Sequence, residues 1–343
     1  MISLPIIKDW ISWGKTSGFR KILNVILLRL SYTISNIRKE SSHWGMPLSI
    51  SIEPTTSCNL RCPECPSGLR SFSRPTGMLE PEGFAAIIPQ LKSSLWAINF
   101  YFQGEPFLNK NLTEMIKLAA DAGIYTATSS NAHYFKPELA RKTVESGLHR
   151  LIISIDGTSQ ETYEQYRIGG KIATVIEGTK EILKAKKELN SRTPHVIFQF
   201  LVVKPNEHQT DEVLTLADEL GVDEVRFKTA QVYDYENGNE LIPDNEKYSR
   251  YRKMPSGKWQ LKNKMDNRCW RMWQGCVITW DGKIVPCCFD KDASHSLGKV
   301  TNMNTFKEVW RSESYNSFRN SVLTNRSQID ICRNCSEGTQ IFA

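Results

Sequence analysis

The sequence has no long apolar segment and no secretion signal. Its longest apolar run, residues 22–28, is far shorter than the roughly 18 apolar residues of a membrane-spanning helix. The first 15 residues lack the basic stretch and the small-residue cleavage site of a signal peptide. We therefore expect a cytoplasmic protein in a compartment that keeps thiols reduced.

The composition also shows no sign of a disordered or nucleic-acid-binding chain. Hydrophobic residues make up 40% and charged residues 24% of the 343 positions, as in ordinary globular proteins. The net charge is +7, but the basic residues are scattered along the chain. No nucleic-acid partner is expected, and the length suits one large α/β domain with a smaller appendage.

Cysteine is absent from residues 66–268, so the nine cysteines fall into two groups. The first group comprises Cys58, Cys62 and Cys65. The second group comprises Cys269, Cys276, Cys287, Cys288, Cys332 and Cys335. An odd number of clustered cysteines, in a chain of this size without a secretion signal, indicates metal ligands rather than disulfides.

Residues 1–46 form a first segment with helical periodicity. The residues that recur at helical spacing are Ile22, Val25, Ile26, Leu30, Thr33, Ile34 and Ile37. The basic residues around them are Arg20, Lys21, Arg29, Arg38 and Lys39. Two interpretations stay open: a helix that packs on the body of the fold, or a basic amphipathic helix whose residues 20–39 contact the inner face of a membrane.

From residue 47 the pattern alternates between strands and amphipathic helices. The expected strands are apolar, β-rich runs at residues 48–53, 97–102, 124–129, 151–155, 196–203 and 222–227. Six strand–helix units in series predict a parallel sheet with helical crossovers. Because a closed barrel of this type has eight strands, we expect an α/β fold with an open, partial (β/α)6 TIM-type barrel. Ligand-binding residues should lie at the carboxyl ends of its strands.

The alternation of strands and helices ends near residue 262. The remainder is rich in Cys, Trp and Asn, and Asp281-Gly282 predicts a β-hairpin turn between two short strands. We therefore expect three parts: a helical segment (1–46), a barrel (47–262) and a small domain that needs metal to fold (263–343).

The first cysteine group follows directly after the first predicted strand. Its spacing, Cys58-x3-Cys62-x2-Cys65, lets three thiolates from one loop converge on a 4Fe–4S cluster. The fourth iron then has no protein ligand and is open to a bound molecule. A structural zinc site needs four protein ligands, and neither a histidine nor a fourth cysteine lies nearby in the sequence.

The segment CNLRCPEC, residues 58–65, resembles the signature of the radical S-adenosylmethionine superfamily. Segments with the same resemblance follow at the predicted strand ends: QGEP at 103–106, SSN at 129–131, SIDG at 154–157 and YRIGG at 166–170. QGEP stands where the family has GGEP, and Glu64 stands where it usually has an aromatic or apolar residue. By this resemblance, the residues that bind S-adenosylmethionine are Gly104, Glu105, Pro106, Ser130, Asn131, Ser154, Arg167, Gln199 and Leu201.

The second cysteine group resembles the auxiliary-cluster domains named SPASM and twitch. Its spacing is Cys269-x12-Gly282-x4-Cys287, followed by Cys332-x2-Cys335. The resemblance implies one auxiliary 4Fe–4S cluster, ligated by those four cysteines. Two alternatives stay open: Cys276 in place of Cys269, and a four-cysteine zinc site in place of the cluster.

The resemblance also implies the chemistry. A 5′-deoxyadenosyl radical formed from S-adenosylmethionine would remove a hydrogen atom from an organic substrate. A fully ligated auxiliary cluster would then accept an electron, which describes a dehydrogenase-type oxidoreductase. The candidates for the proton-accepting base are Lys228, Asp290, Asp292 and His295.

Three other functions stay open. In a redox-neutral epimerase, Cys276 or Cys288 would return a hydrogen atom to the substrate. A peptide-modifying maturase is also compatible, although such enzymes often carry a longer recognition domain before the barrel. A non-catalytic metal-binding protein fits the motifs least. The expected partners are a small-molecule, glycan, lipid-linked or peptide substrate and an electron donor such as flavodoxin or ferredoxin.

Overall fold

A computed structural model describes residues 4–262, 265–301 and 305–336. The ends of the first and last predicted parts, residues 1–3 and 337–343, lie outside the described residues. The chain begins with two helices, α1 (Leu4–Lys15) and α2 (Phe19–Arg38). None of the helices described is both long and apolar enough to cross a membrane.

Six parallel strands follow, and they confirm the predicted sheet. They are β1 (Ser49–Ile52), β2 (Ala97–Asn99), β3 (Tyr125–Ser130), β4 (Arg150–Ser154), β5 (His195–Val202) and β6 (Glu224–Thr229). Each strand pairs in parallel with the next strand along the chain. Their carboxyl ends therefore meet at one edge of the sheet, where the sequence places its ligand motifs.

Helices connect these strands. They are α3 (Pro66–Leu69), α4 (Pro81–Leu91), α5 (Leu112–Asp121), α6 (Pro137–Glu145), α7 (Gln160–Tyr166), α8 (Ile172–Glu188) and α9 (Thr210–Leu220). Proline opens α4 and α6, where its fixed φ suits the first helical position. Gly221 ends α9 in the left-handed conformation, with φ of +78°, which glycine adopts without strain.

The core lies between the sheet and its helices. Ile50, Ile98, Ile153 and Phe198, from four different strands, are at most 1% exposed and belong to one hydrophobic cluster. Strands covered on both faces have nearly continuous apolar sequences, which is why the apolar runs identified them. Burial of this size stabilises the sheet by roughly 1.5–3 kcal/mol per large side chain.

In the described part of the C-terminal third, five strands and four α-helices follow. The strands are β7 (Tyr251–Lys253), β8 (Trp259–Leu261), β9 (Gly275–Ile278), β10 (Lys283–Val285) and β11 (Gly298–Lys299). The helices are α10 (Arg271–Gln274), α11 (Phe306–Trp310), α12 (Glu313–Asn325) and α13 (Asp330–Arg333). Strands β9 and β10 form the hairpin expected around Gly282, whose φ is +85°.

That hairpin extends the barrel sheet. Strand β9 pairs in parallel with β1, so the described strands form a nine-stranded sheet in the order β11-β10-β9-β1-β2-β3-β4-β5-β6. Strands β7 and β8 form a separate two-stranded sheet. The parallel pairing of β9 with β1 was not predicted from the sequence. The domain boundary at residue 262 stays a prediction, although the two regions share one sheet.

Gly275 permits the close approach of β9 to β1. A Cβ atom at this position would lie 2.2 Å from the carbonyl oxygen of Ser49. The substitution Gly275→Ala should therefore push the strands apart and lower the free energy of unfolding by about 1–3 kcal/mol, measured by urea denaturation.

The matched control is Gly14→Ala in α1, where a Cβ would meet nothing within 4 Å. This variant should be as stable as the wild type or slightly more so, because alanine favours helix. Equal unfolding midpoints for the two variants would contradict the close packing of β9 on β1.

Candidate functional site

A cavity of about 330 Å³ lies at the carboxyl ends of the parallel strands. The predicted residues that line it are Cys58, Cys62, Cys65, Gly104, Glu105, Ser130, Asn131, Ser154, Arg167 and Gln199. Its lining does not include Pro106 or Leu201. Pro106 opens a short 3-10 helix, and Leu201 packs in the apolar cluster beside the three cysteines. The structure thus brings most of the predicted residues together.

The loop that carries the three cysteines is tightly wound. The amide of Cys65 donates to the carbonyl of Cys62 at 3.3 Å, and Cys65 then caps the start of α3. A Cβ on Gly68 would lie 2.6 Å from the Cys62 backbone, so glycine allows α3 to pack on the loop. All nine cysteines of the chain lie in the described residues, and none of them forms a disulfide bond.

Burial and one cation have opposite effects on the pKa values of these thiols. Burial raises the pKa of Cys58 to about 11 and also raises the pKa of Cys62. The guanidinium of Arg167 opposes the rise at Cys62, since its Nη1 lies 3.7 Å from the Sγ atom. An anionic metal–thiolate centre at this position would be stabilised by the same cation.

The QGEP segment packs directly on the cysteine loop. The Gly104 amide donates to the Ser67 hydroxyl at 2.8 Å, and the Glu105 amide donates to the Ser57 carbonyl at 2.8 Å. Gly104 has φ of +74°, and a Cβ there would lie 2.3 Å from the Thr55 carbonyl oxygen. Only glycine fits this approach, which explains the residue at this point of the motif.

The carboxylate of Glu105 joins the ends of two strands. It accepts hydrogen bonds from the Ser130 hydroxyl at 2.8 Å, the Asn131 amide at 2.8 Å and the Phe107 amide at 3.2 Å. Burial raises its pKa to about 7, and these donors oppose the rise. Ser130 and Asn131 therefore line the cavity while they hold Glu105.

Asp156 and Arg167 form a second link between strand ends. Arg167 Nε donates to one oxygen of the buried Asp156 carboxylate, and the Leu201 amide donates to the other at 2.7 Å. Burial raises the pKa of Asp156, and the charge of Arg167 lowers it. The guanidinium thus lies at the cavity wall, held by Asp156.

The cavity fits a ligand that carries both an amino group and a carboxylate. The Oε1 atom of Gln103 is buried and has no hydrogen-bond partner among the described residues. Gln103 lines the cavity, so this oxygen can accept from an ammonium group. Arg167 supplies a cation for a carboxylate. These are the groups of an amino-acid cofactor such as S-adenosylmethionine.

Three of the C-terminal cysteines lie around Arg326, and a fourth, Cys287, lies near two of these three. Arg326 Nη2 donates to the Cys335 Sγ at 3.4 Å, and the thiols of Cys269, Cys335 and Cys332 raise the pKa of Arg326. Burial raises the pKa of Cys287, and the nearby thiols of Cys288, Cys269 and Cys335 add to the rise. The group thus contains the four predicted ligands of the auxiliary cluster, and Cys288 lies beside them.

Cys276 is buried in the main hydrophobic core, and it lines a small cavity that Cys287 also lines. It is buried on β9, and its charged neighbour is Arg319 rather than Arg326. Across the described residues, no three His, Cys, Asp or Glu side chains are placed to hold one metal ion. Thiolates of a 4Fe–4S cluster bind separate irons, so they stand further apart than the ligands of one zinc ion.

The candidate bases do not line the cavity. Lys228 is exposed on β6. Asp290 accepts hydrogen bonds from the Ser294 and His295 amides. The other two candidates are also engaged: Asp292 accepts from the Ser73 amide and hydroxyl, and His295 pairs with Asp330.

Sequence reasoning missed Lys291 and Tyr101, which line the cavity. Lys291 Nζ donates to the Tyr233 hydroxyl at 2.8 Å, and the Tyr233 amide donates to Glu64 at 2.9 Å. Glu64 and Lys291 therefore form a polar rim around Tyr233. The only sequence signal for Lys291 was its position between the candidate bases Asp290 and Asp292.

Two family models match the chain. The model of the radical SAM superfamily matches residues 52–217, and the model of the SPASM iron–sulfur cluster-binding domain matches residues 269–336. The first range contains the cysteine loop and the cavity, and the second contains the auxiliary cysteines.

Curated relatives agree with these models. An AdoMet-dependent heme synthase of Methanosarcina barkeri is 29% identical over 176 residues, which cover 51% of this chain and 48% of the relative. The match therefore spans about half the length of that enzyme. A PqqA peptide cyclase of Bradyrhizobium diazoefficiens is 21% identical over 303 residues, which cover 82% of this chain and 78% of the relative.

Solved structures have the same fold. SuiB of Streptococcus suis, bound to S-adenosylmethionine, matches with a TM-score of 0.62 and 14% identity over 91% of this chain and 76% of its own. The anSMEcpe enzyme with bound AdoMet matches with a TM-score of 0.60 and 15% identity over 86% of each chain. BtrN, in complex with AdoMet and 2-DOIA, matches with a TM-score of 0.52 and 17% identity over 85% of this chain and 94% of its own.

These likenesses confirm the partial barrel as the fold, and the matched models cover the two cysteine groups. The cofactors are S-adenosylmethionine and 4Fe–4S clusters, as the sequence motifs predict. The chain belongs to the radical S-adenosylmethionine superfamily and is a radical SAM enzyme with a C-terminal SPASM domain.

Proposed function

We propose that this enzyme oxidises an organic substrate, with the C-terminal cysteines holding an auxiliary cluster that accepts an electron. When bound, S-adenosylmethionine and the two clusters supply a 5′-deoxyadenosyl radical that removes a hydrogen atom and an acceptor for the electron left behind. The observation that carries this proposal is the grouping of Cys269, Cys287, Cys332 and Cys335. Four thiolates leave no iron open to substrate, which suits electron transfer.

Arg326 supports the same role. It is 2% exposed, and its guanidinium donates to Cys335 beside two further thiols of the set. A buried cation next to the thiolates stabilises the more negative, reduced state of a centre held there. The chain therefore places a charge that favours acceptance of an electron.

The wall of the cavity leads towards these cysteines. Tyr101 lines the cavity, and the neighbouring thiol of Cys288 contributes to its raised pKa. Cys288 adjoins Cys287 in the chain, so a few residues separate the substrate space from the auxiliary set. Glu64 and Lys291 at the rim are the polar groups that we assign to substrate orientation.

A peptide substrate is the second candidate, supported by the relative named as a PqqA peptide cyclase and by the likeness to SuiB bound to its precursor peptide SuiA. The epimerase alternative depends on a thiol near substrate. Cys276 lies in the hydrophobic core and does not line the cavity, whereas Cys288 lies near Tyr101. Within that alternative, Cys288 is the donor that fits better.

One prediction from the proposed function concerns the cysteine loop. After anaerobic cluster reconstitution with a strong reductant, Cys58→Ala should form no 5′-deoxyadenosine above the enzyme-free blank, since the cluster loses one of three ligands. The Cys276→Ala variant should form it at the wild-type rate. Chromatography of the reaction mixture measures both, and cleavage by Cys58→Ala would contradict the assignment of this loop.

A second prediction separates the auxiliary ligands. The wild type should hold about eight irons, and Cys332→Ala should hold about four. Cys276→Ala should keep about eight, because Cys269 is the proposed ligand. Iron analysis decides between the two cysteines: loss of iron from Cys276→Ala but not from Cys269→Ala would reverse the assignment, and zinc in this region would overturn the proposal.

A third prediction concerns the acceptor role of the auxiliary cluster. In a variant with Cys58, Cys62 and Cys65 all changed to Ala, the remaining cluster should be reducible and detectable by electron paramagnetic resonance. Adding Arg326→Gln should lower its reduction potential by about 60 mV, a tenfold change for a one-electron couple. Arg326→Lys, which keeps the positive charge, should retain most of the wild-type reduction potential. A cluster that no reductant reduces would contradict electron acceptance.

A further inference from the structure

Helix α2 packs on the protein through its polar side. Its buried residues are Lys21, Asn24, Leu28, Ser31 and Ser35. An ordinary surface helix buries its apolar stripe and exposes its polar residues. This helix does the reverse, so its apolar side chains face outwards.

Hydrogen bonds hold the polar side in place. Lys21 Nζ donates to the Gly123 carbonyl at 2.9 Å. The amide group of Asn24 both donates to and accepts from the backbone of Met46, at 2.8 Å each. The Ser35 hydroxyl bridges the backbone of residue 42, accepting from its amide and donating to its carbonyl. Each buried polar group named here has a partner, so this docking face is built for polar contact.

The outward sides of α1 and α2 carry many large apolar side chains. On α2, Phe19 is 81%, Ile26 is 48% and Leu30 is 50% exposed, and Ile22, Leu23 and Ile37 are exposed as well. On α1, Ile7, Trp10, Ile11 and Trp13 are exposed. We call these residues of α1 and α2 the apolar face. So many large exposed side chains at helical spacing on one segment indicate an interaction surface.

The apolar face lies at the end of the barrel opposite the cavity. Asp9 of α1 pairs with Arg150, the first residue of β4, and accepts from the Tyr125 hydroxyl at the start of β3. Lys21 of α2 bonds to Gly123, just before β3. Both helices are thus fastened to the amino ends of strands whose carboxyl ends form the cavity.

Charge identifies the kind of surface that this face fits. The exposed cations of the two helices and their ends are Lys8, Lys15, Arg20, Arg29, Arg38 and Lys39. Between residues 5 and 40, all of them described, the acidic residues are Asp9, which is buried in its ion pair, and the exposed Glu40. We propose that the apolar face binds an anionic phospholipid surface, with apolar side chains in the interface and cations at the headgroups.

A second copy of the chain fits this face less well. A two-fold symmetric contact would place the six cations of one copy against the six of the other, because such a contact repeats the same patch on both sides. Like charges at an interface oppose association. Trp10, which is 56% exposed and has an apolar ring and a polar N–H, is also a side chain that suits a lipid–water boundary.

The test is sedimentation of the full-length holoenzyme with vesicles. Vesicles of phosphatidylcholine with phosphatidylglycerol should bind the wild type, and vesicles of phosphatidylcholine alone should bind it far more weakly. The double variant Ile22→Gln/Ile26→Gln should bind the anionic vesicles about tenfold more weakly. High salt should also release the wild type.

The matched control is Leu118→Gln/Leu214→Gln, which changes two similarly exposed leucines on α5 and α9. It should bind as the wild type does, and both double variants should keep the wild-type iron content and circular dichroism. Equal binding by both variants, or no binding of the wild type to anionic vesicles, would overturn the proposal. So would a wild-type dimer in gel filtration that Ile22→Gln/Ile26→Gln converts to a monomer. None of these readouts depends on the substrate reaction.

Discussion

Glu53 and Arg74 form a buried ion pair at the point where three parts of the chain meet. Arg74 donates to both carboxylate oxygens, at 2.8 and 2.5 Å, and the Trp280 amide approaches the same carboxylate at 3.3 Å. Arg74 Nε also donates to the carbonyl of Lys291. Loss of one partner from such a pair costs roughly 3–5 kcal/mol, because a buried charge is left alone. The pair therefore ties the end of β1, the segment after the cysteine loop and the C-terminal hairpin together around the cavity.

The motif residues at the strand ends act on the same principle. Glu105 and Asp156 are buried carboxylates. Each accepts hydrogen bonds from residues at or after neighbouring strand ends, so these oxygens hold the wall of the cavity together. Their contacts hold Ser130, Asn131 and Arg167 at the cavity wall. A motif that resembles a cofactor-binding sequence thus works largely through the shape that it imposes. Gln103 is the exception, because it lines the cavity and its buried side-chain oxygen has no hydrogen-bond partner among the described residues.

Sequence periodicity and spacing were sufficient for the six parallel strands and for the three cysteines of the first loop, because both are local patterns. They were not sufficient for the pairing of β9 with β1, which depends on contact between Gly275 and Ser49 across more than two hundred residues. The helical periodicity of α2 identified its apolar stripe. Periodicity alone does not show whether the apolar side or the polar side of a helix packs on the rest of the protein. Lys291 was not predicted as a site residue. The folded structure places Lys291 at the cavity, whereas its neighbour Asp290 binds backbone amides and does not line the cavity.

The two ends of the barrel now constrain the substrate together. The cavity opens at the carboxyl ends of the strands, and α1 and α2 are fastened at the amino ends. A bilayer in contact with the apolar face would leave the cavity facing away from it. A substrate embedded in the same bilayer would then have to reach around the barrel, whereas a peptide or small molecule would enter from the aqueous side. The geometry therefore favours a water-borne substrate, and the membrane contact would fix where the reaction takes place.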